Sequence, residues 1–325
     1  MKNYTVRPYQ PEDFDTWNAF IGKAKNATFL FHRDFMEYHK DRFQDFSLIV
    51  EEGKKWVAVL PANRDGDVVY SHQGLTYGGL IYDENLRLAS FLNIFKAILF
   101  FLNENKVNKL QLKLIPSIYT DFYAEELNYA LFIATSKLIR RDTLSVIDLK
   151  KPIRLLKNRK EGVTRGTKNK LIVREVNDFD AFWEEILLPN LEDKHQAKPV
   201  HSLEEIKLLH SRFPQNIRQF NVYENDKIVA GTTIFETKKV AHSQYISGNS
   251  TKNELGSLDF LHHHLLTEVF KEKQYFDFGT SNENQGKNLN NGLSYWKESF
   301  GANTVVQDFY EVATSNYDKV ENILI

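Results

Sequence analysis

The stretch that decides the fold runs from Phe276 to Gly301 and reads FDFGTSNENQGKNLNNGLSYWKESFG. It begins as a short apolar strand in which a carboxylate, Asp277, lies between Phe276 and Phe278. Because burying an unpaired charge is costly, such a carboxylate is expected in a hydrogen-bonded turn or in an active site. A loop rich in amides and glycine follows, and then a helix that carries Lys297. The stretch predicts a strand, a polar loop and a helix that lie next to one another.

Outward from this stretch, helix and strand patterns alternate and occur twice in the same order, at an offset of roughly 170 residues. Each half reads as two helices, a three-stranded antiparallel meander, and then helix, strand, helix and strand. Lys55-Trp-Val-Ala58 matches Lys227-Ile-Val-Ala230, and Ser71-His-Gln73 matches the region of His242 and Gln244. We therefore expect two tandem domains, residues 1–150 and 151–325, as the length of 325 residues also suggests.

This element order resembles the Gcn5-related N-acetyltransferase (GNAT) fold, and the tandem arrangement resembles the FemAB-like acyl- and aminoacyltransferases. The most specific pieces are Phe276–Gly279, Leu289–Leu293 and Lys297–Gly301. The resemblance implies an α/β chain of two GNAT-like domains with mixed, mostly antiparallel sheets. It also implies an enzyme, an acyltransferase, that moves an acyl group from an acyl-CoA or acyl carrier, or alternatively from an aminoacyl-tRNA, to an amine on a cell-envelope or polysaccharide precursor.

Composition narrows the chemistry. The chain contains no cysteine, which excludes a disulfide framework, a thiolate-ligated metal and a cysteine nucleophile. Direct attack of an amine on an ester or thioester needs a proton acceptor and an oxyanion donor but no covalent nucleophile. His262, His263 and His264 are adjacent on a predicted helix and point about 100° apart, so we expect no metal site there. The N-terminus lacks an apolar signal segment, and a cytoplasmic location is the default expectation.

Three residues are candidates for the catalytic role. His242 is the first choice as proton acceptor or orienting group, and Asp277 and Glu283 are the runners-up. Strand alternation predicts His242, Gln244 and Ile246 on one face and Ser243 and Tyr245 on the other. The competing interpretation of His242 is a hydrogen-bonded, partly buried histidine.

Polar residues around these candidates are expected to hold the acceptor or the donor. In the second half they are Gln244, Tyr245, Asn290 and Lys297. In the first half the glycine-rich segment Ser71–Gly79 contributes His72, Gln73 and Tyr77. The amide-rich loop suits a hydroxyl-rich ligand but is equally typical of an ordinary Asn/Gly turn, and the first-half segment is equally compatible with a tight connection.

The donor site departs from the family pattern. Coenzyme A is normally held at a helix N-terminus by a loop that begins with Gln or Arg and carries two small residues. Here the equivalent loop offers Asn253, Gly256 and Ser257, with Leu258 in place of the second small residue. Two donors, acyl-CoA and aminoacyl-tRNA, therefore stay open.

Charge is distributed unevenly along the chain. Residues 150–174 contain ten Lys and Arg and one Glu, a net charge of +9 in a chain whose net charge is −1. Such a block predicts a phosphate-bearing partner such as tRNA, a phosphopantetheine carrier or a nucleotide sugar. The competing interpretation is a solvated linker helix. A tandem module that binds a polysaccharide or a protein without catalysis is the alternative from another functional class.

Overall fold

The computed structural model describes residues 3–195, 198–321 and 323, and the chain divides into two compact units. Unit 1 contains Met1–Asp142 and Val306–Ile325, and unit 2 contains Thr143–Val305. The boundary expected at residue 150 assigned residues 306–325 to the second domain. In the structure they belong to unit 1, because the last long strand of the chain pairs there.

The strands are β1 (Tyr4–Pro8), β2 (Gln44–Asp45), β3 (Leu48–Glu52), β4 (Lys55–Leu60), β5 (Asn63–Asp65), β6 (Val68–Tyr70), β7 (Ile81–Tyr82), β8 (Lys109–Lys113), β9 (Lys137–Asp148), β10 (Ile172–Val176), β11 (Ile217–Glu224), β12 (Lys227–Glu236), β13 (Val240–Gly248), β14 (Tyr275–Thr280), β15 (Asn282–Glu283), β16 (Asn288–Leu289) and β17 (Asn303–Ala313).

The α-helices are α1 (Phe14–Ile21), α2 (Arg33–Met36), α3 (Leu88–Glu104), α4 (Glu126–Ile133), α5 (Lys157–Lys168), α6 (Asp180–Phe182), α7 (Leu188–His195), α8 (Leu203–Arg212), α9 (Lys252–Leu255), α10 (Ser257–His264) and α11 (Asn291–Glu298). Single π-helical turns continue α6 at Trp183–Leu187 and α10 at Leu265–Val269. Among the described residues, none of these helices is long and apolar enough to cross a bilayer.

Unit 1 contains a four-stranded sheet in the order β1-β3-β4-β7 and a second set of strands in the order β17-β8-β6-β5-β2. In the second set, β6 and β8 are parallel, and β17 pairs antiparallel with β8 from Phe309↔Lys113 to Ala313↔Lys109. Helix α3 supplies seven buried side chains to the core, from Phe91 to Leu102. Its apolar residues recur at helical spacing, which explains why a helix, and not a strand, forms there.

Unit 2 contains one mixed sheet in the order β10-β11-β12-β13-β14, closed beside β14 by the end of β9. All neighbours are antiparallel except β13 and β14, which are parallel. Its core packs α10 against this sheet through Leu261 and Leu265. Ser202 and Glu205 form the predicted capping box at the start of α8, where the Ser202 hydroxyl accepts from the Glu205 N–H at 3.1 Å.

Candidate active site

The parallel strands of unit 2 separate at a histidine and a carboxylate. β13 and β14 pair over only three positions, Val240↔Tyr275, Ala241↔Phe276 and His242↔Asp277. Beyond the third position β13 continues to Gly248 and β14 continues to Thr280, with no further pairing between them. A gap of this kind at the carboxyl ends of parallel strands is where α/β folds place ligands.

His242 and Asp277 are bonded to each other at this point. His242 Nδ1 lies 3.0 Å from Asp277 Oδ2, and the Asp277 residue is only 1% exposed. The other carboxylate oxygen, Oδ1, accepts from the Gly279 N–H at 2.7 Å. A carboxylate at Nδ1 favours the tautomer with the proton on Nδ1, so the lone pair of the neutral ring lies on Nε2. The Asp277 carboxylate thus leaves Nε2 of His242 as the nitrogen that can accept a proton.

Gly279 makes this arrangement possible. Its φ of +71° lies in the left-handed region, and a Cβ built there would lie 3.1 Å from His242 Cε1. A side chain would therefore be strained and would press on the imidazole. The absence of a side chain at this glycine, two residues after Asp277, leaves room for the His242 ring.

Lys297 supports the same turn from helix α11. Its Nζ donates to the carbonyl oxygens of Gly279 at 3.0 Å and Thr280 at 2.6 Å, and the residue is 3% exposed. Burial lowers the Lys297 pKa to about 8, although the Asp277 carboxylate opposes the shift. The structure therefore shows this predicted ligand-binding lysine bonded to the backbone at the end of β14.

A β-bulge changes which residues face the site. The register between β12 and β13 passes from Thr233↔Tyr245 to Ile234↔Ser243, so Gln244 is the extra residue. Tyr245 contacts His201, and so does Phe235, the cross-strand partner of His242. His242 and Tyr245 therefore share a face. The alternation that put them on opposite faces is wrong here, because the bulge shifts the pleat by one residue.

The bulge also brings in His201, which sequence reasoning missed. The Tyr245 hydroxyl accepts from the His201 N–H at 3.1 Å and lies 2.7 Å from His201 Nδ1. Burial raises the Tyr245 pKa to about 12, so the phenol is neutral. Gln244 is intermediate in exposure, and its side-chain oxygen is buried with no hydrogen-bond partner among the residues that the structure describes. The available sequence signal was only a histidine directly before a capping box.

Glu283 and Asn290 form a separate pair. Glu283 lies on the short β15–β16 hairpin and is exposed, and its Oε1 accepts from Asn290 Nδ2 at 3.0 Å. Asn290 caps helix α11, with its Oδ1 accepting from the Leu293 N–H at 3.1 Å. The structure brings these two predicted residues together and bonds neither of them to His242 or Asp277.

The three candidates of the first half are held by contacts inside unit 1. His72 has φ +69° and stacks on His39 at 5.1 Å between ring centroids. Gln73 Oε1 accepts from Asn63 at 2.8 Å, and the Tyr77 hydroxyl donates to Thr28 at 3.1 Å. Burial lowers the His72 pKa to about 3, so this imidazole is neutral.

The expected donor loop is covered by the basic helix. A Cβ on Gly256 would lie 2.1 Å from the Gly162 carbonyl oxygen of α5, and a Cβ on Gly162 would overlap the Asp259 carboxylate. Asp259, in the first turn of α10, is 5% exposed and ion-paired with Arg159. Ser257 is fully buried, and the Asn253 carbonyl accepts from Arg165. A pyrophosphate does not fit at this helix N-terminus, because another helix and a carboxylate already occupy it.

Comparison with known proteins identifies the architecture. No protein-family model and no curated protein matches the sequence. The structure of FemX is similar over 94% of this chain and 96% of that chain, with a TM-score of 0.68 at 9% identity. L-PGS from Bacillus licheniformis is similar over 93% and 91%, with a TM-score of 0.60 at 12% identity.

A tandem GNAT protein from the clavulanic acid biosynthesis pathway, solved without AcCoA, is similar over 96% of this chain and 99% of that chain, with a TM-score of 0.50 at 13% identity. The matches cover nearly the whole chain, so the predicted fold class is confirmed. The chain has the tandem GNAT-like fold and resembles FemAB-like proteins in that fold.

Proposed function

We propose that unit 2 is an acyl- or aminoacyltransferase centre that acylates an amine beside His242 and Asp277. One observation carries the proposal: the parallel strands separate directly after a bonded histidine–carboxylate pair. The likeness of the fold to FemX and to a tandem GNAT protein supports it. The acceptor class, an amine on a cell-envelope or polysaccharide precursor, comes from the sequence resemblance.

The proposed reaction uses the pair as a proton relay. The acceptor amine attacks the carbonyl carbon of an activated acyl group and forms the new C–N bond. His242 Nε2 takes the proton that the nitrogen loses, and Asp277 stabilises the imidazolium. The C–O or C–S bond to the donor then breaks, and the leaving group receives the proton from Nε2.

We propose a donor that does not bind at the N-terminus of α10, because helix α5 covers that position. Helix α5 packs on α10 through Gly162 and Gly166, which leaves its other faces in solvent. Lys160 and Lys168 on α5 and Lys170, two residues beyond its end, are exposed, and within the described residues none of them forms an ion pair. Such a surface favours a large polyanionic donor, aminoacyl-tRNA before an acyl carrier, over free acyl-CoA.

A donor panel tests the proposal. The protein is mixed with lysinamide as the probe amine and with either a [¹⁴C]aminoacyl-tRNA pool or [¹⁴C]acetyl-CoA, and label in the amide product is counted. We expect transfer from the RNA-linked donor, loss of transfer after RNase treatment, and loss of transfer in His242→Ala.

A charge-reversal variant isolates the basic helix. Lys160→Glu, Lys168→Glu and Lys170→Glu combined should weaken donor use and its dependence on salt, whereas Lys40→Glu and Lys54→Glu in unit 1 should not. Transfer from acetyl-CoA that survives in the triple variant would contradict the donor assignment. Binding of either donor without any amide product would favour the non-catalytic module.

A further inference from the structure

Unit 1 contains a cleft that the proposed reaction does not use. It has a volume of about 150 Å³. It is lined by Gly78 and Leu114, which form a parallel bridge beyond the β6–β8 pair, and by Gln307 and Asp308 of β17. The cleft therefore lies at the carboxyl ends of the parallel strands of unit 1, the position where α/β folds place ligands.

The polar walls of the cleft are fixed before any ligand arrives. Asn26 donates to the Leu80 carbonyl at 2.9 Å and accepts from the Tyr82 N–H at 3.2 Å. Gln307 donates to the Thr76 carbonyl at 3.0 Å. Side chains locked in this way lose little rotamer freedom when a ligand binds, which favours affinity.

The charge of the cleft is negative. Two carboxylates, Glu125 and Asp308, line it, and no Lys, Arg or His is among its described lining residues. Asp308 is neutralised by Arg141, whose guanidinium donates two bonds at 2.5 and 2.7 Å. Glu125 is exposed at the rim of the cleft, forms no ion pair in the described part of the chain, and accepts only from Asn128. It precedes helix α4, yet its side chain makes no capping bond. One carboxylate at the cleft is thus left without a cation.

These walls select the ligand by chemistry. A phosphate or carboxylate would meet Glu125 and find no cation, so anions are disfavoured. Amide and hydroxyl groups of Asn26, Asn128, Ser117 and Thr120 suit ligand hydroxyls, and a ligand ammonium would supply the missing partner of Glu125. We propose that this cleft binds a small hydroxyl-bearing amine without phosphate, with its ammonium on Glu125.

Binding of three matched probes tests this inference on the full chain by isothermal titration calorimetry at low salt and neutral pH. Glucosamine carries the ammonium and hydroxyls, glucose lacks the ammonium, and glucosamine 6-phosphate adds an anion. We expect glucosamine to bind about fivefold more tightly than either relative, the ratio that about 1 kcal/mol produces.

Variants locate the binding. Glu125→Gln should weaken glucosamine binding about fivefold, and Ala124→Phe, which fills the cleft, should abolish it. Glu104→Gln, an exposed carboxylate at the end of α3, should leave binding within about twofold of the native chain. Equal or tighter binding of glucosamine 6-phosphate, no binding of glucosamine, or native affinity in Glu125→Gln would each overturn the inference. The readout is binding and not turnover, so the result is independent of the reaction proposed for unit 2.

Discussion

The two units place different chemistry at the end of the same strand pair. In unit 2 the last paired position of the parallel strands joins His242 to Asp277, whereas in unit 1 the β6–β8 pair ends with Tyr70 opposite Gln111. An amide cannot accept the proton of an attacking amine at neutral pH, and an imidazole on a carboxylate can. The comparison teaches that one fold places a bonded histidine–carboxylate pair at this position in one copy and only a cleft in the other.

The histidines that matched in the sequence differ in the same way. His242 lies on a strand and bonds to a carboxylate. His72 lies beyond its strand, adopts a positive φ, and stacks on another imidazole that helps to lower its pKa. A neutral ring held against an aromatic cluster packs the core and does not relay protons. Aligned residues therefore need not share a role, because the partner across the strand pair decides it.

The largest effect should come from the carboxylate. Asp277→Asn removes the negative charge that stabilises the protonated His242 ring and can place an amide donor at Nδ1, which favours the wrong tautomer, so we expect amide formation to fall by about 10²–10⁴-fold. Gln111→Asn, at the corresponding position of unit 1, should change turnover by less than about threefold. Both are measured as initial rates with far-UV circular dichroism as the folding control. Equal losses in the two variants would break the distinction between the units.

One lysine in each unit, Lys297 and Lys113, allows the two units to be compared through the pH dependence of stability. Burial lowers the pKa of both Lys297 and Lys113 to about 8, from 10.5 in the unfolded chain. A lowered folded-state pKa means that the unfolded state binds more protons between pH 8 and 10.5, so stability should rise with pH across this window and fall as pH drops through 8. The total rise is about 3 kcal/mol or less per lysine, and denaturant unfolding measures it.

Replacing either lysine should flatten this rise, but only one replacement should affect turnover. Lys297→Met releases the Gly279 and Thr280 carbonyls beside the site, whereas Lys113→Met releases the Leu75 carbonyl in unit 1. We expect a loss of about tenfold or more in kcat for Lys297→Met, a barrier change of about 1.4 kcal/mol. A kcat loss of the same size in Lys113→Met would contradict the assignment of the site to unit 2.

The smallest expected effect comes from two glycine substitutions. Together they separate the strain of a positive φ from a steric contact with the His242 ring. Gly279 and Gly53 both have positive φ, at +71° and +64°, but a Cβ on Gly53 has open space around it. Gly279→Ala and Gly53→Ala should each lower the free energy of unfolding by about 1–2 kcal/mol. Only Gly279→Ala should also lower kcat, since its methyl group reaches His242. Equal kcat values in the two variants would show that the ring tolerates displacement.

Periodic and local signals were readable from the sequence. The apolar helix at Leu88–Glu104 and the capping box of Ser202 and Glu205 follow from spacing alone, and the tandem fold follows from the repeated element order. His242 and Asp277 were each identified because a polar residue interrupts a strand that is otherwise apolar. Their direct bond depends on the parallel register of β13 and β14, which no local pattern encodes.

Features that depend on contacts between distant parts of the chain could not be predicted from the sequence. The bulge at Gln244 arises from the pairing of β12 with β13, and the contact of His201 with Tyr245 joins residues 44 positions apart. The return of β17 to unit 1 is likewise a matter of pairing. One missed feature had a signal: Gly162 and Gly166, four residues apart in the basic helix, lie on one helical face and indicate close packing against another helix.

The central claim is that His242 and Asp277 of unit 2 act together in proton transfer. The most direct measurement is kcat for His242→Ala, Asp277→Asn and the double variant, taken with the same donor and amine. Groups that act as a unit are strongly non-additive, so we expect the double variant to be no slower than His242→Ala alone. Losses that multiply, or a His242→Ala variant with native kcat, would contradict the claim.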